Sequence, residues 1–93
     1  MHVMVEISLY PLANEYIGPI QAFIDRINNY KGLAVSTGTT STQITGEYMH
    51  VVEILGNEMK RTHEEVGQAI FVAKFLNFDA MQARTQERVE QNQ

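Results

Sequence analysis

Residues 3–10 alternate between two kinds of side chain, and few chains can carry such a run without forming a half-buried strand. Val3, Val5, Ile7 and Leu9 interleave with Met4, Glu6, Ser8 and Tyr10, the period-2 signature of one buried face and one more polar face. Pro11 ends it. The next apolar residues, Ile20, Phe23, Ile24 and Ile27, recur at helical spacing. Gly18-Pro19 suits a cap and first turn and Gly32 a C-terminal stop, so a helix is predicted over about 19–30. Leu33-Ala34-Val35 opens a second strand, and the stretch from Ser36 to Gly46, in which every residue except Ile44 is Ser, Thr, Gly or Gln, reads as a long hairpin of high Thr content.

A second helix is predicted from about Tyr48 to Gly67. Its apolar stripe is read as Tyr48, Val52, Leu55, Met59 and Val66, and its outer face as Glu53, Asn57, Lys60, Arg61 and Glu64. The run from Ala69 to Asn77 is almost continuously apolar and rich in strand formers, with apolar residues of both parities. The order strand–helix–strand–strand–helix–strand is that of a ferredoxin-like α+β sandwich, a βαββαβ chain whose four-stranded antiparallel sheet carries both helices on one face. Residues 1–78 are expected to form this domain and 79–93 a polar C-terminal tail. The face without helices would show Met4, Tyr10 and apolar residues of the last strand to solvent. A homo-oligomer, a dimer of dimers or similar, is expected to shield it.

Composition removes whole classes of function. Ninety-three residues without a cysteine leave room for one core and none for a disulfide, a thiolate metal site or a thiol nucleophile. Eleven acids against seven scattered bases give a net charge of −4, which disfavours nucleic acid as a partner. No stretch approaches the roughly 18 apolar residues of a membrane span, and the N-terminus lacks a basic start and long apolar run, so no membrane association and a cytoplasmic location are expected.

His50 and His63 lie on the second helix, thirteen residues and about 220° apart, too far round to share a metal. His63-Glu64 opens like a zinc-protease motif, but its second histidine position is Gly67. Glu53, Glu58, Glu64 and Glu65 sit among Lys60 and Arg61 and read as a solvated face. No nucleophile–base pair can be placed, so neither catalysis nor a cofactor or metal is expected. Glu6 has two open readings, a cross-strand pair with Lys74 or a charge aimed at a cationic ligand. The hydroxyl cluster likewise reads either as a Thr-rich hairpin satisfying its own backbone, or as neutral donors and acceptors for a polar heterocycle stacked on Tyr10 or a Phe.

Three segments, Val5-Glu6-Ile7-Ser8-Leu9-Tyr10-Pro11-Leu12, Ser41-Thr42-Gln43-Ile44-Thr45-Gly46-Glu47 and Val72-Ala73-Lys74-Phe75, resemble in order and spacing the small thiamine-binding proteins of the MTH1187/YkoF type. That resemblance implies a ferredoxin-like domain that assembles through its sheets. It also implies binding of thiamine or its hydroxymethylpyrimidine moiety without chemistry, as carrier or sensor. Carried over by position, it points to Ser8, to Ser41 and Thr42, and to Thr37 and Thr39 upstream. The Gln43 amide suits an aminopyrimidine, and Glu6 or Glu47 a positive thiazolium. With Lys74 the only base near these residues, unphosphorylated ligands are expected to bind better than the pyrophosphate. Strand parity sends Thr42 to the core with Ile44 and leaves Ser41 and Gln43 on the open face, unless a bulge near Gly38 intervenes. The alternative is an oligomeric regulatory or protein-interaction module with no small-molecule ligand.

Overall fold

The alternation at the N-terminus produces β1 (His2–Pro11), in which Val3, Val5 and Ile7 are buried and Leu9 half-buried. The computed structural model of the chain describes residues 1–77. Beyond β1 come α1 (Ile17–Asn28), β2 (Leu33–Thr37), β3 (Thr42–Glu47), α2 (Tyr48–Val66) and β4 (Ala69–Asn77). The expected tail at 79–93 lies outside the described residues.

The four strands form one antiparallel sheet in the order β2-β3-β1-β4. Val3, Val5, Ile7 and Ile44 from one sheet face meet Phe23 and Ile27 of α1 and Val51, Ile54 and Leu55 of α2 in a single core, so both helices cover the same face. The chain has the ferredoxin-like α+β arrangement. Gly46 is crowded from two sides: a Cβ there would stand 2.9 Å from the Gly32 carbonyl oxygen, 3.0 Å from Leu33 Cδ2 and 3.1 Å from Val51 Cγ2 of α2, which is why this Thr-rich strand carries a glycine.

Three boundaries differ from the sequence reading. α1 begins at Ile17, two residues before the expected Pro19, because Glu15 Oε1 accepts the Gly18 amide at 3.1 Å and proline is tolerated inside a first turn whose amides lack intrahelical partners. It ends at Asn28 rather than Tyr30, with Asn29 and Tyr30 amides closing back on Arg26 and Ile27 carbonyls in a tightened last turn. Most of the long hairpin is strand: β2 runs through Thr37 and β3 starts at Thr42, leaving a loop at Gly38–Ser41. The register continues unbroken to Thr37↔Thr42, so no bulge forms.

The buried face of α2 is also rotated by about one residue from the expected stripe. Val51, Ile54, Leu55, Glu58 and Thr62 are buried while Val52 is exposed. Both spacings are helical. The first carries Val51, Ile54 and Leu55 into the core and brings Glu58 into a polar contact with α1, where it is a buried partner and not part of a solvated face. The start of α2 is fixed by Glu47, whose carboxylate accepts the Met49 and His50 amides at 3.3 and 2.9 Å.

On the uncovered face, Met4, Glu6, Ser8 and Tyr10 of β1 lie opposite Leu76, Lys74, Val72 and Ile70 of β4. Tyr10, Ile70 and Val72 are about half exposed. The other parity of β4 turns to the helix side, where the Phe71 ring packs 5.2 Å from Phe23 and 5.3 Å, edge-on, from His63.

Candidate functional site

The strands differ in length, and the difference opens a cavity. The β1–β3 ladder stops at Ile7↔Thr42, yet β1 continues to Pro11, held by β4 alone. In the space where β3 has left β1, the Gly38–Ser41 loop folds on itself through a 2.9 Å bond from the Gly38 amide to the Ser41 carbonyl. The Ser8 hydroxyl then donates to the Thr40 carbonyl at 2.9 Å. Between this loop, the end of β1 and the first half of α1 lies a cavity of about 110 Å³.

Its wall is the hydroxyl cluster. Ser8, Thr37, Thr39, Thr40, Ser41 and Thr42 all border it. Its floor is apolar, made of Ile7, Leu9, Ile20, Phe23 and Ile24, with Phe23 only 3% exposed. None of the described residues that line it carries a charge. Such a hollow offers hydroxyls as donors and acceptors on one side and an aromatic and aliphatic surface on the other, which suits one flat, polar, uncharged ring.

Five of the residues singled out from sequence, Ser8, Thr37, Thr39, Ser41 and Thr42, therefore come together. They do so at the end of the sheet beside α1; Ser8, which shares the open-face parity of Glu6 and Tyr10, joins them at the edge that β3 has vacated, where its hydroxyl meets Thr40. Parity assigned Ser41 to the open face, but it borders the cavity because the chain departs from the ladder just before Thr42. Glu6, Tyr10 and Gln43 stay on the open face: Gln43 is paired with Glu6 in register, and Glu6 Oε1 stands 3.8 Å from Lys74 Nζ, the cross-strand pair. Glu47 is engaged with the α2 amides. Those hydrogen bonds hold its carboxyl below the usual carboxylate range. Thr40, Phe23 and the α1 isoleucines were missed by the site reading. Phe23 looks like any core residue of an amphipathic helix, and Thr40 lay in the hydroxyl run without being singled out.

A second polar cluster joins the helices. Arg26 of α1 hydrogen-bonds Glu58 through Nε and Thr62 Oγ1 through its terminal nitrogen at 2.8 Å. Tyr30 donates its hydroxyl to the other Glu58 oxygen at 2.7 Å, and Thr62 donates to the Glu58 carbonyl at 3.0 Å. Burial pushes the Glu58 carboxyl up, but hydrogen bonds from Arg26 and Tyr30 and the Arg26 charge outweigh it and leave the group below its ordinary value. The Tyr30 hydroxyl is raised, first by its bond to Glu58 and then by burial and the carboxylate's charge. The two helix histidines each meet a backbone carbonyl, His50 Nε2 with Lys31 and His63 Nε2 with Ala69, both at 3.0 Å. A carbonyl only accepts, so each Nε2 carries the proton.

Comparison with known proteins adds the family. No curated protein is significantly similar in sequence. A protein of Streptococcus pneumoniae superposes with a TM-score of 0.76 at 17% identity, over 82% of this chain and 86% of its own. A hypothetical protein of Methanocaldococcus jannaschii gives 0.72 at 18% identity, over 82% and 79%. A candidate thiamine biosynthesis/salvage protein of Thermotoga maritima gives 0.65 at 18%, over 81% and 82%. At these identities the likeness is one of fold. The family model described as the YKOF-related family matches residues 2–86, and it is to this family that the chain belongs.

Proposed function

We propose that the protein binds thiamine or its hydroxymethylpyrimidine moiety without transforming it, as a carrier or sensor. The observation that carries this reading is the uncharged cavity in which six hydroxyl-bearing residues face an apolar floor that includes Phe23. An aminopyrimidine has ring-nitrogen acceptors and an amine donor, and hydroxyls serve both. Family membership and the thiamine-related name of the Thermotoga maritima neighbour support the same class of ligand. A volume of about 110 Å³ falls below the roughly 300 Å³ at which pockets for whole drug-sized ligands begin. The pyrimidine is therefore assigned to the cavity, with the thiazolium toward the mouth. The ligand contacts assigned here are Thr37, Thr39, Ser41 and Thr42, with Phe23 beneath the ring. With no cation lining the cavity, phosphorylated forms bind more weakly.

Calorimetric titration with hydroxymethylpyrimidine, thiamine and thiamine pyrophosphate tests the reading. Ligand at about a hundred times its dissociation constant stabilises the fold by about 2.7 kcal/mol, a readily measured rise in melting temperature. The absence of both heat and a melting shift at millimolar ligand would overturn it.

The half-exposed apolar residues Tyr10, Ile70 and Val72 on the open face favour a homo-oligomer that covers them, in the cytoplasm, as the setting for this binding. The same patch is the observation behind the second reading, a regulatory or protein-interaction module without a ligand. Light scattering on the isolated chain, together with the titration and a pull-down, separates the two: a tight homo-oligomer that binds ligand and recruits no other protein favours the carrier, and one that binds no ligand but recruits a protein favours the module.

A further inference from the structure

The walls of the cavity are not equally firm. β1 is laddered to β4 as far as Pro11↔Ala69, and α1 presents Phe23 from the buried core. The third wall, Gly38–Ser41, has left the sheet: the β2–β3 ladder stops at Thr37↔Thr42 and the β1–β3 ladder at Ile7↔Thr42. Among the described residues, the hydrogen bond that ties the loop's backbone to β1 is the one from Ser8 Oγ to the Thr40 carbonyl at 2.9 Å.

We propose that the Gly38–Ser41 loop is a gate on the cavity and that the Ser8 hydroxyl is its latch, a positioning residue and not a ligand contact. The inference rests on the reading of the cavity as the ligand site. A hollow of about 110 Å³ lies below the roughly 300 Å³ range of pockets that enclose a larger ligand, so one wall yields to admit a ring and its substituents. The wall held by one side-chain bond yields first. The single proton of the Ser8 hydroxyl is already committed to Thr40. A net hydrogen bond of ordinary strength shifts an opening equilibrium by about two- to tenfold, which keeps the loop shut most of the time without locking it.

The test uses the full chain as wild type, Ser8→Ala and Ser8→Thr, with two readouts. The first needs no ligand: hydrogen exchange at the Gly38 amide, which is bonded inside the loop to Ser41. A latch predicts exchange about two- to tenfold faster in Ser8→Ala, near wild type in Ser8→Thr, and no change at Val5 within β1. Unaltered exchange at Gly38, or an equal rise at Val5, overturns the latch. The second is stopped-flow binding of hydroxymethylpyrimidine and of thiamine. A latch raises the association and dissociation rate constants of Ser8→Ala by the same two- to tenfold factor and leaves Kd within about twofold. A rise in dissociation alone shows direct contact with the ligand and overturns the gate. Absence of binding to wild type overturns the functional reading and the gate with it, while the exchange comparison still decides whether Ser8 fastens the loop.

Discussion

The hydroxyl cavity and the ionic bridge are both polar clusters on α1, and they are built on opposite terms. In the bridge, Arg26, Glu58, Tyr30 and Thr62 satisfy one another, and the charges are answered within the protein. In the cavity there is no charge to answer, and the hydroxyls border an empty volume. The bridge has the stronger interactions and the more perturbed titrations, features that often flag an active site. Here they flag a clamp between two helices. Weak, neutral groups around a hollow are the better sign of a place for a ligand, because a hydroxyl both donates and accepts and can serve either kind of ligand atom.

The largest expected effect separates the two on stability. Glu58→Ala strands the Arg26 guanidinium between the helices and should cost about 3 kcal/mol in urea denaturation, while ligand affinity corrected for the folded fraction stays within about twofold. Replacing both partners, Arg26→Met with Glu58→Leu, should recover most of that loss. A tenfold loss of affinity in the folded single variant would merge the two regions into one site.

Next comes the converse. Thr42→Val removes a hydroxyl from the cavity while keeping the shape of the side chain. It should weaken hydroxymethylpyrimidine binding by about five- to tenfold and leave stability within about 1 kcal/mol.

Acidity sharpens the contrast further. The folded Glu58 carboxyl lies below its ordinary value of 4.5, so its contribution is complete above about pH 4.5 and is lost as the pH falls through the folded value. The raised Tyr30 hydroxyl has the opposite sign: its contribution is complete below its ordinary value of 10.0 and is lost as the pH rises through the folded value. Denaturation midpoints should decline on both limbs in wild type, and both declines should flatten in the double replacement. Ligand affinity between pH 6 and 9 should follow the ligand's own titration, since among the described residues no titratable side chain lines the cavity.

The smallest effect is at the open face. Glu6→Gln breaks a pair whose Lys74 side chain is largely exposed, and stability should change by less than about 1 kcal/mol. Thiamine affinity should stay within about twofold; a tenfold change would move the ligand to the open face.

The fold was legible because each element has a period of its own. The alternation of β1 gave its buried residues, and β4 runs over the expected Ala69–Asn77. The α2 face was legible in part: Leu55 is buried and Tyr48 and Met59 pack against the core as expected, but Val51 and Val52 both continue a helical stripe, and the buried one passes through Glu58 and Thr62, whose partner is an arginine 32 and 36 residues earlier. The cavity was legible by composition and not by place. Parity assigns a residue to a sheet face only while the chain stays in the ladder, and Gly38–Ser41 does not.

Strand β1 outlasting its neighbour β3 also bears on how such a chain can change over generations. A cavity made from a shortfall of pairing draws half of its polar wall, Thr39, Thr40 and Ser41, from a loop, and loops accept insertions, deletions and exchanged residues more readily than ladders do. The lining of the cavity can be changed by rewriting four positions at the tip of a hairpin, while Val3, Val5, Ile44 and Leu55 keep the framework intact.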